Sequence, residues 1–300
     1  METAAVVEPK APGPVDPDEK ANKPYSLPDA PLITIKASKS WSPLNLKELW
    51  AYRELMFFLI WRDIKVRYKQ TLIGGLWAIM QPLTMMLIFT IFFGVLVRVP
   101  TGGIPSPLFY YTGLSLWAFF SSAVANGANS LMGNTNLITK IYFPRLIIPS
   151  ASVLAGVIDF AIASVLLIPL LFYYGYGLSW RMLLLVPISI LTTILALGMG
   201  VLFSALNAAY RDVRHALPFV LQIWMFVSPV IYPTSLVPEK WRWLLMLNPL
   251  TGIIESYRSA LFGLEIHWWA LAYSLVFAVL LLSLSAYTFR RMERSFAEVI

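Results

Sequence analysis

Six long apolar stretches run through residues 72–289 of this 300-residue chain. A hydrocarbon core of about 30 Å takes roughly 20 apolar residues per helix. That length predicts membrane-crossing helices near Leu72–Val97, Leu108–Ser130, Leu146–Tyr174, Met182–Asn207, Leu217–Tyr232 and Trp268–Phe289. The fifth is the shortest, and its end carries Ser228, Pro229 and Pro233. The alternative to six spans is five plus a re-entrant segment.

Composition agrees with the apolar runs. The chain is 58% hydrophobic and 13% charged, with a mean hydropathy of +0.68, where a soluble domain carries about 25% charge. It has no cysteine, which excludes disulfides, thiolate metal sites and cysteine catalysis. Two histidines, His215 and His267, do not make a histidine-rich metal site, so no metal is expected. With both termini cytoplasmic, 18 of the 23 Lys and Arg lie inside, and Arg98, Arg181, Lys240, Arg242 and Arg258 lie outside. That is the asymmetry of the positive-inside rule. The positive charge follows the membrane boundary and no single soluble face, which speaks against a nucleic-acid partner.

The chain divides into a proline-rich, disordered cytoplasmic tail (1–31), a cytoplasmic interface segment (32–71), the transmembrane region (72–289) and a short cytoplasmic C-terminal tail (290–300). Leu32–Lys36 alternates weakly, as a short strand would. From Leu46 to Tyr68 the period is helical, with Leu46, Leu49, Trp50, Phe57, Ile60, Trp61, Ile64 and Tyr68 on one stripe and Lys47, Glu54, Lys65 and Lys69 opposite. Such an amphipathic helix suits a headgroup plane. A dense cationic cluster, Arg62, Lys65, Arg67 and Lys69, closes it where the chain turns into the bilayer. Gly74, Gly75, Trp77 and Pro82 follow, and Pro82 is expected to kink the first span.

Two connections are too apolar for idle loops. Between the second and third spans Asn134 or Asn136 caps a short helix that Pro144 ends. On it Leu137, Ile138, Ile141, Tyr142 and Phe143 form a knob flanked by Lys140 and Arg145. The knob fits a groove on another protein, or it lies flat on its own bundle. The loop from Thr234 to His267 holds two short helices and four tryptophans at or near its ends, and reads as re-entrant or interfacial helices over an opening.

Chemistry for hydrolysis is missing. No Gly-Lys dipeptide occurs, so the chain has no phosphate-cradling G-x-x-x-x-G-K-[ST] loop. Asp159 is the one acid deep in a span, and no basic residue in the sequence stands at its depth. It is either a transport residue or a polar tie to Ser or Thr of a neighbouring helix. Aromatic residues are plentiful: Trp77, Phe89 and Phe93 on the first span, Trp117 and Phe120 on the second, and Trp224, Phe226 and Tyr232 on the fifth. They line a channel on which sugar rings stack, or they form an ordinary interfacial belt.

The run from Trp61 to Pro82, with Trp61-Arg62-Asp63-Ile64-Lys65-Val66-Arg67-Tyr68, Gly74, Trp77 and Pro82, resembles the transmembrane subunit of ABC-2 type exporters. Within them it is most similar to the permeases that export O-antigen, capsule or teichoic-acid polysaccharides. Ser228-Pro229-Val230-Ile231-Tyr232-Pro233 and Leu247-Asn248-Pro249 match as well, and the resemblance covers about residues 40–290. It implies a homodimer of six-span subunits in the bacterial inner membrane, with two separate ATP-binding cassette subunits that hold ATP and Mg; this chain has no cofactor and no catalytic residue. It implies an interface helix at Leu46–Tyr68, where Arg62, Lys65, Arg67 and Lys69 meet a lipid-linked polysaccharide or the membrane lipids themselves. It implies ATPase coupling through Asn136, Leu137, Ile138, Lys140, Ile141, Tyr142, Phe143 and Arg145. It also implies gate helices around Trp241 and Ile253–Phe262. The expected fold class is an all-α membrane protein with six transmembrane helices, an N-terminal amphipathic interface helix and outer re-entrant gate helices. A drug or lipid permease shares that fold. A membrane-embedded glycosyl- or acyltransferase needs grouped acids or histidines, and Asp212 with His215 is a sparse set.

Overall fold

Apolar runs punctuated by proline and glycine dictate helices that end where the chain must turn, and the computed structural model has that form. It describes residues 46–69, 74–140, 143–210 and 212–293. The expected tail over 1–31, the strand at Leu32–Lys36, and the knob residues Ile141 and Tyr142 lie outside the described residues. The helices are α1 (Leu46–Ala51), α2 (Arg53–Tyr68), α3 (Trp77–Phe89), α4 (Ser106–Gly133), α5 (Thr135–Lys140), α6 (Ile147–Val165), α7 (Leu167–Tyr173), α8 (Leu185–Ala209), α9 (Val213–Val227), α10 (Glu239–Met246), α11 (Pro249–Phe262) and α12 (Trp268–Met292).

Among the described residues five stretches are long and apolar enough to cross a membrane: Trp77–Leu96, Ser106–Gly133, Ile147–Tyr173, Trp180–Ala209 and Trp268–Met292. The expected fifth span is α9, with 15 residues, about 22 Å at the helical rise and short of a hydrocarbon core. It nevertheless joins the two ends of the bundle. It leaves from the last turn of α8, and the chain just beyond it reaches the first turn of α4, where Val230 and Phe109 share one guanidinium. The helix α3 continues through Pro82, and its irregularity comes later, at Thr90–Leu96, which is wound as a π-helix.

At one end Leu59 (α2), Leu131 (α4), Ile147 (α6), Ala205 (α8) and Phe289 (α12) form a buried cluster. Lys140, Arg145, Arg214 and Arg290 fall at the helix ends gathered here, so it is termed the basic end. A larger cluster fills the rest, from Phe120 and Leu195 to Val230, Ile253 and Tyr257 at the far end. The helix α4 is the hub: 18 of its 28 residues are buried, against only Pro82 and Met86 in α3. Its crossing with α8 is set by two glycines. A Cβ on Gly127 would stand 3.0 Å from the Gly200 backbone and 2.8 Å from Val153 of α6. Small residues allow this backbone approach, which is how helices associate without a hydrophobic drive from lipid.

Candidate functional site

The helix α2 does not lie free of the bundle. Leu59 packs into the basic-end cluster, with Leu55, Met56 and Ile60 beside it. Higher up, Ser152 of α6 donates to Asp63 at 3.1 Å, and Arg67 and Tyr68 both donate to the Asp159 carboxylate. Since 63 meets 152 and 67 meets 159, the two helices run in the same direction. Of the predicted stripe Trp50, Phe57 and Trp61 face outward, and Leu59, which the stripe left out, is the buried residue. The polar residues of α2 that meet α6 find partners there, which leaves the aromatic side for the surroundings.

Asp159 is corrected too. It has a basic partner, from a helix 92 residues earlier. The sequence hid this because the depth reached by α2 depends on its packing along α6. The four cations of the cluster separate accordingly. Arg62 pairs with its neighbour Asp63 at 2.8 Å, and Arg67 pairs with Asp159. Lys65 is exposed, its ammonium 5.3 Å from the Trp61 ring centroid, and Lys69 is exposed. Partial burial pushes the Tyr68 phenol above its usual range, so it stays a donor to the carboxylate. Around this pair opens a groove of about 370 Å³, lined by Trp77, Gln81, Phe119, Ser122 and Asn126 among others.

The segment to which the resemblance gave ATPase coupling turns inward where it is described, as the second of its two readings had it. On α5 Ile138 is buried, and beyond it so is Phe143; both join the basic-end cluster. Arg145 donates through its backbone and side chain to Glu293 at 3.3 and 3.2 Å. Asn136, Thr139 and Lys140 are exposed, and Leu137 is half-buried. Among the described residues of the knob, Ile138 and Phe143 therefore pack on their own bundle, and Asn136, Thr139 and Lys140 face out.

Of the proposed channel aromatics, Trp117 and Phe120 are buried in the subunit core, a correction that follows from α4 being the hub. Phe120 meets Trp224 edge-on at 5.3 Å, and Phe89 stacks on Phe93 at 5.4 Å. Trp77 and Phe226 are exposed, and Tyr232 donates to the Phe226 carbonyl at 3.1 Å.

The two C-terminal motifs form one structure at the far end. Asn248 caps α11 by accepting from Leu250 N–H at 3.1 Å. The same amide accepts from Trp224 Nε1 at 3.1 Å and donates to Ser228 Oγ at 2.8 Å. Arg258, 4% exposed, donates to the carbonyls of Pro229 (2.7 Å), Val230 (2.7 Å) and Phe109 (3.1 Å). Its guanidinium carbon lies 3.7 Å from the Phe109 ring centroid. Thr234 donates to Glu255. Sequence reasoning placed Arg258 among outside cations and missed this clamp. The available signal was one arginine inside the apolar run of α11 with turn prolines upstream.

A family model described as ABC-2 type transporter matches residues 54–262. Similar proteins include the O-antigen export system permease protein RfbA of Myxococcus xanthus, 30% identical over 71% of this chain and 82% of that protein. The protein of the same name from Klebsiella pneumoniae is 30% identical over 82% of this chain and 95% of its own length. The polysialic acid transport protein KpsM of Escherichia coli is 26% identical over 67% and 79%.

Proposed function

We propose, since this chain belongs to the ABC-2 type transporter family, that it is the membrane subunit of an ATP-driven exporter. Its cargo is an undecaprenyl-linked, O-antigen-like polysaccharide, moved across the bacterial inner membrane. The observation that carries this reading is the match along most of the length of permeases named for O-antigen export, 82% and 95% of two of them.

The working unit is two copies of this chain with two ATP-binding cassette subunits, which hold ATP and Mg. Both termini are cytoplasmic, with α9 as the sixth pass and the basic end facing the ATPases. The segment around α5 meets the ATPase through Asn136, Thr139 and Lys140, while Ile138, Phe143 and Arg145 relay its movement to α6 and α12. The helix α2 sits at the loading side. The helices α10 and α11 close the outer side, and Arg258 and Asn248 hold the loop between α9 and α10 against α4 and α11. Export through this path needs weak, repeated contacts, which the exposed Trp77 and Phe226 supply.

Deletion of the chain, followed by gel analysis of surface glycan, tests the reading. The expected result is loss of surface polysaccharide, with lipid-linked glycan accumulating inside and complementation restoring export. Unchanged surface glycan in the deletion strain overturns the cargo assignment. Co-purification of an ATPase chain tests the assembly.

A further inference from the structure

We infer that Asp159 is an internal counter-anion, displaced from Arg67 when a lipid-linked diphosphate binds and its first sugar enters the groove between α3, α4 and α6. This rests on the export reading above and names how that cargo is held.

The ion pair stands deep. Asp159 lies 12 residues past the start of α6, about 18 Å along the helix. It is the only Asp or Glu within the five membrane-crossing stretches among the described residues. Ionised groups at such depth are costly and mark functional paths, and a partly exposed ion pair contributes little to stability. Stability alone therefore gives weak reason for this one.

The pair is also open. The Arg67 and Asp159 side chains are 32% and 25% exposed, and both line the groove of about 370 Å³. That volume falls within the range of roughly 300–1,000 Å³ for small-molecule sites. The other walls match a sugar better than a hydrocarbon chain. Trp77, which is exposed, offers an indole ring, and Gln81, Ser122 and Asn126 offer amides and a hydroxyl. Gln81 and Ser122 are exposed, and Asn126 donates to Ser122 at 3.3 Å.

Exchange of anions follows from the chemistry. A guanidinium fork binds phosphate oxygens bidentately, and a diphosphate brings more negative charge than one carboxylate. Tyr68, which donates to Asp159, is placed to donate to the same phosphate. Arg62 is held by Asp63, whereas Lys65 and Lys69 are exposed and draw anions toward the site.

The test measures binding of a fluorescent polyprenyl diphosphate bearing one N-acetylhexosamine to the full-length chain in phosphatidylcholine nanodiscs. Asp159→Asn is expected to bind about tenfold tighter and Arg67→Gln about tenfold weaker, in the usual range of coupling between sites. The double variant should match Arg67→Gln. Tightening cannot come from misfolding. Weakened or unchanged binding in Asp159→Asn overturns the inference and makes the pair a structural tie. A second arm leaves the pair intact: Gln81→Ala with Asn126→Ala should weaken the sugar-bearing probe and spare the bare polyprenyl diphosphate. Equal loss for both overturns the sugar seat. Loss of probe binding in phosphatidylglycerol nanodiscs overturns the assignment in favour of bulk anionic lipid. Surface glycan in the deletion strain is scored alongside. If it is lost while Asp159→Asn shows no tightening, export stands and the counter-anion role falls.

Discussion

Arg258 shows how one side chain determines the shape of a loop. Ser228 to Pro233 contains two prolines, which lack backbone donors, so its carbonyls need donors from elsewhere. A buried guanidinium supplies three bonds, two of them to Pro229 and Val230. Replacing it leaves buried carbonyls without this donor, at a cost of about 1–3 kcal/mol for each group left unsatisfied. Arg258→Gln is expected to lower the melting temperature of the purified protein in detergent strongly. Gly113→Ala tests the same clamp from the other side, because its methyl would stand 2.5 Å from the guanidinium and 2.6 Å from the Val230 carbonyl. It should destabilise in the same direction, whereas Gly133→Ala, with open space around the added Cβ, should leave the melting temperature unchanged.

Helices α4, α6 and α8 meet where Gly127, Val153 and Gly200 touch, so side-chain bulk there forces whole helices apart. Gly127→Leu is expected to abolish a monodisperse peak in size-exclusion chromatography, since overpacking costs about 1–3 kcal/mol or more where backbone cannot move. For the α5 segment two effects should separate. Phe143→Ala removes a buried ring from the basic-end cluster and should cost about 3–5 kcal/mol in stability. Lys140→Glu changes an exposed position and should reduce co-purified ATPase while the melting temperature holds. Much of this level was legible in the sequence. Apolar length located α3, α4, α6, α8 and α12, and the helix that the resemblance implied at Ile253–Phe262 lies within α11. What was hidden depends on which face of a helix meets which neighbour. Periodicity gave α2 an aromatic stripe, yet the face packed on α6 carries Leu59 and Asp63, because Ser152 and Asp159 satisfy polar groups that composition alone assigns to water. The knob after α4 was recognised by its apolarity, which left two readings open, and its described residues Ile138 and Phe143 pack against their own bundle.

Among the described residues the helix ends gather into a basic end and a far end, and α9 connects them despite its 15 residues. If that connection is a sixth pass, Lys140 and Lys240 stand on opposite sides of the membrane. The natural absence of cysteine makes this simple to measure. Lys240→Cys should react with a membrane-impermeant maleimide in intact spheroplasts, and Lys140→Cys only after lysis. Labelling of both in intact spheroplasts would rule out the six-pass arrangement.

The bond between Arg67 and Asp159 also imposes an order of events during synthesis. The arginine leaves the ribosome 92 residues ahead of its carboxylate, which at roughly 5–20 residues per second is a wait of about 5–20 s. Until α6 emerges, Arg67 lacks the carboxylate it meets in the folded chain. The end of α2 is therefore expected to dock only after the third apolar stretch has been made. A translational arrest peptide fused at increasing distances beyond Asp159 should register that late docking as a pulling force, absent in Asp159→Asn. Biogenesis, on this view, is paced by a residue in the middle of the chain.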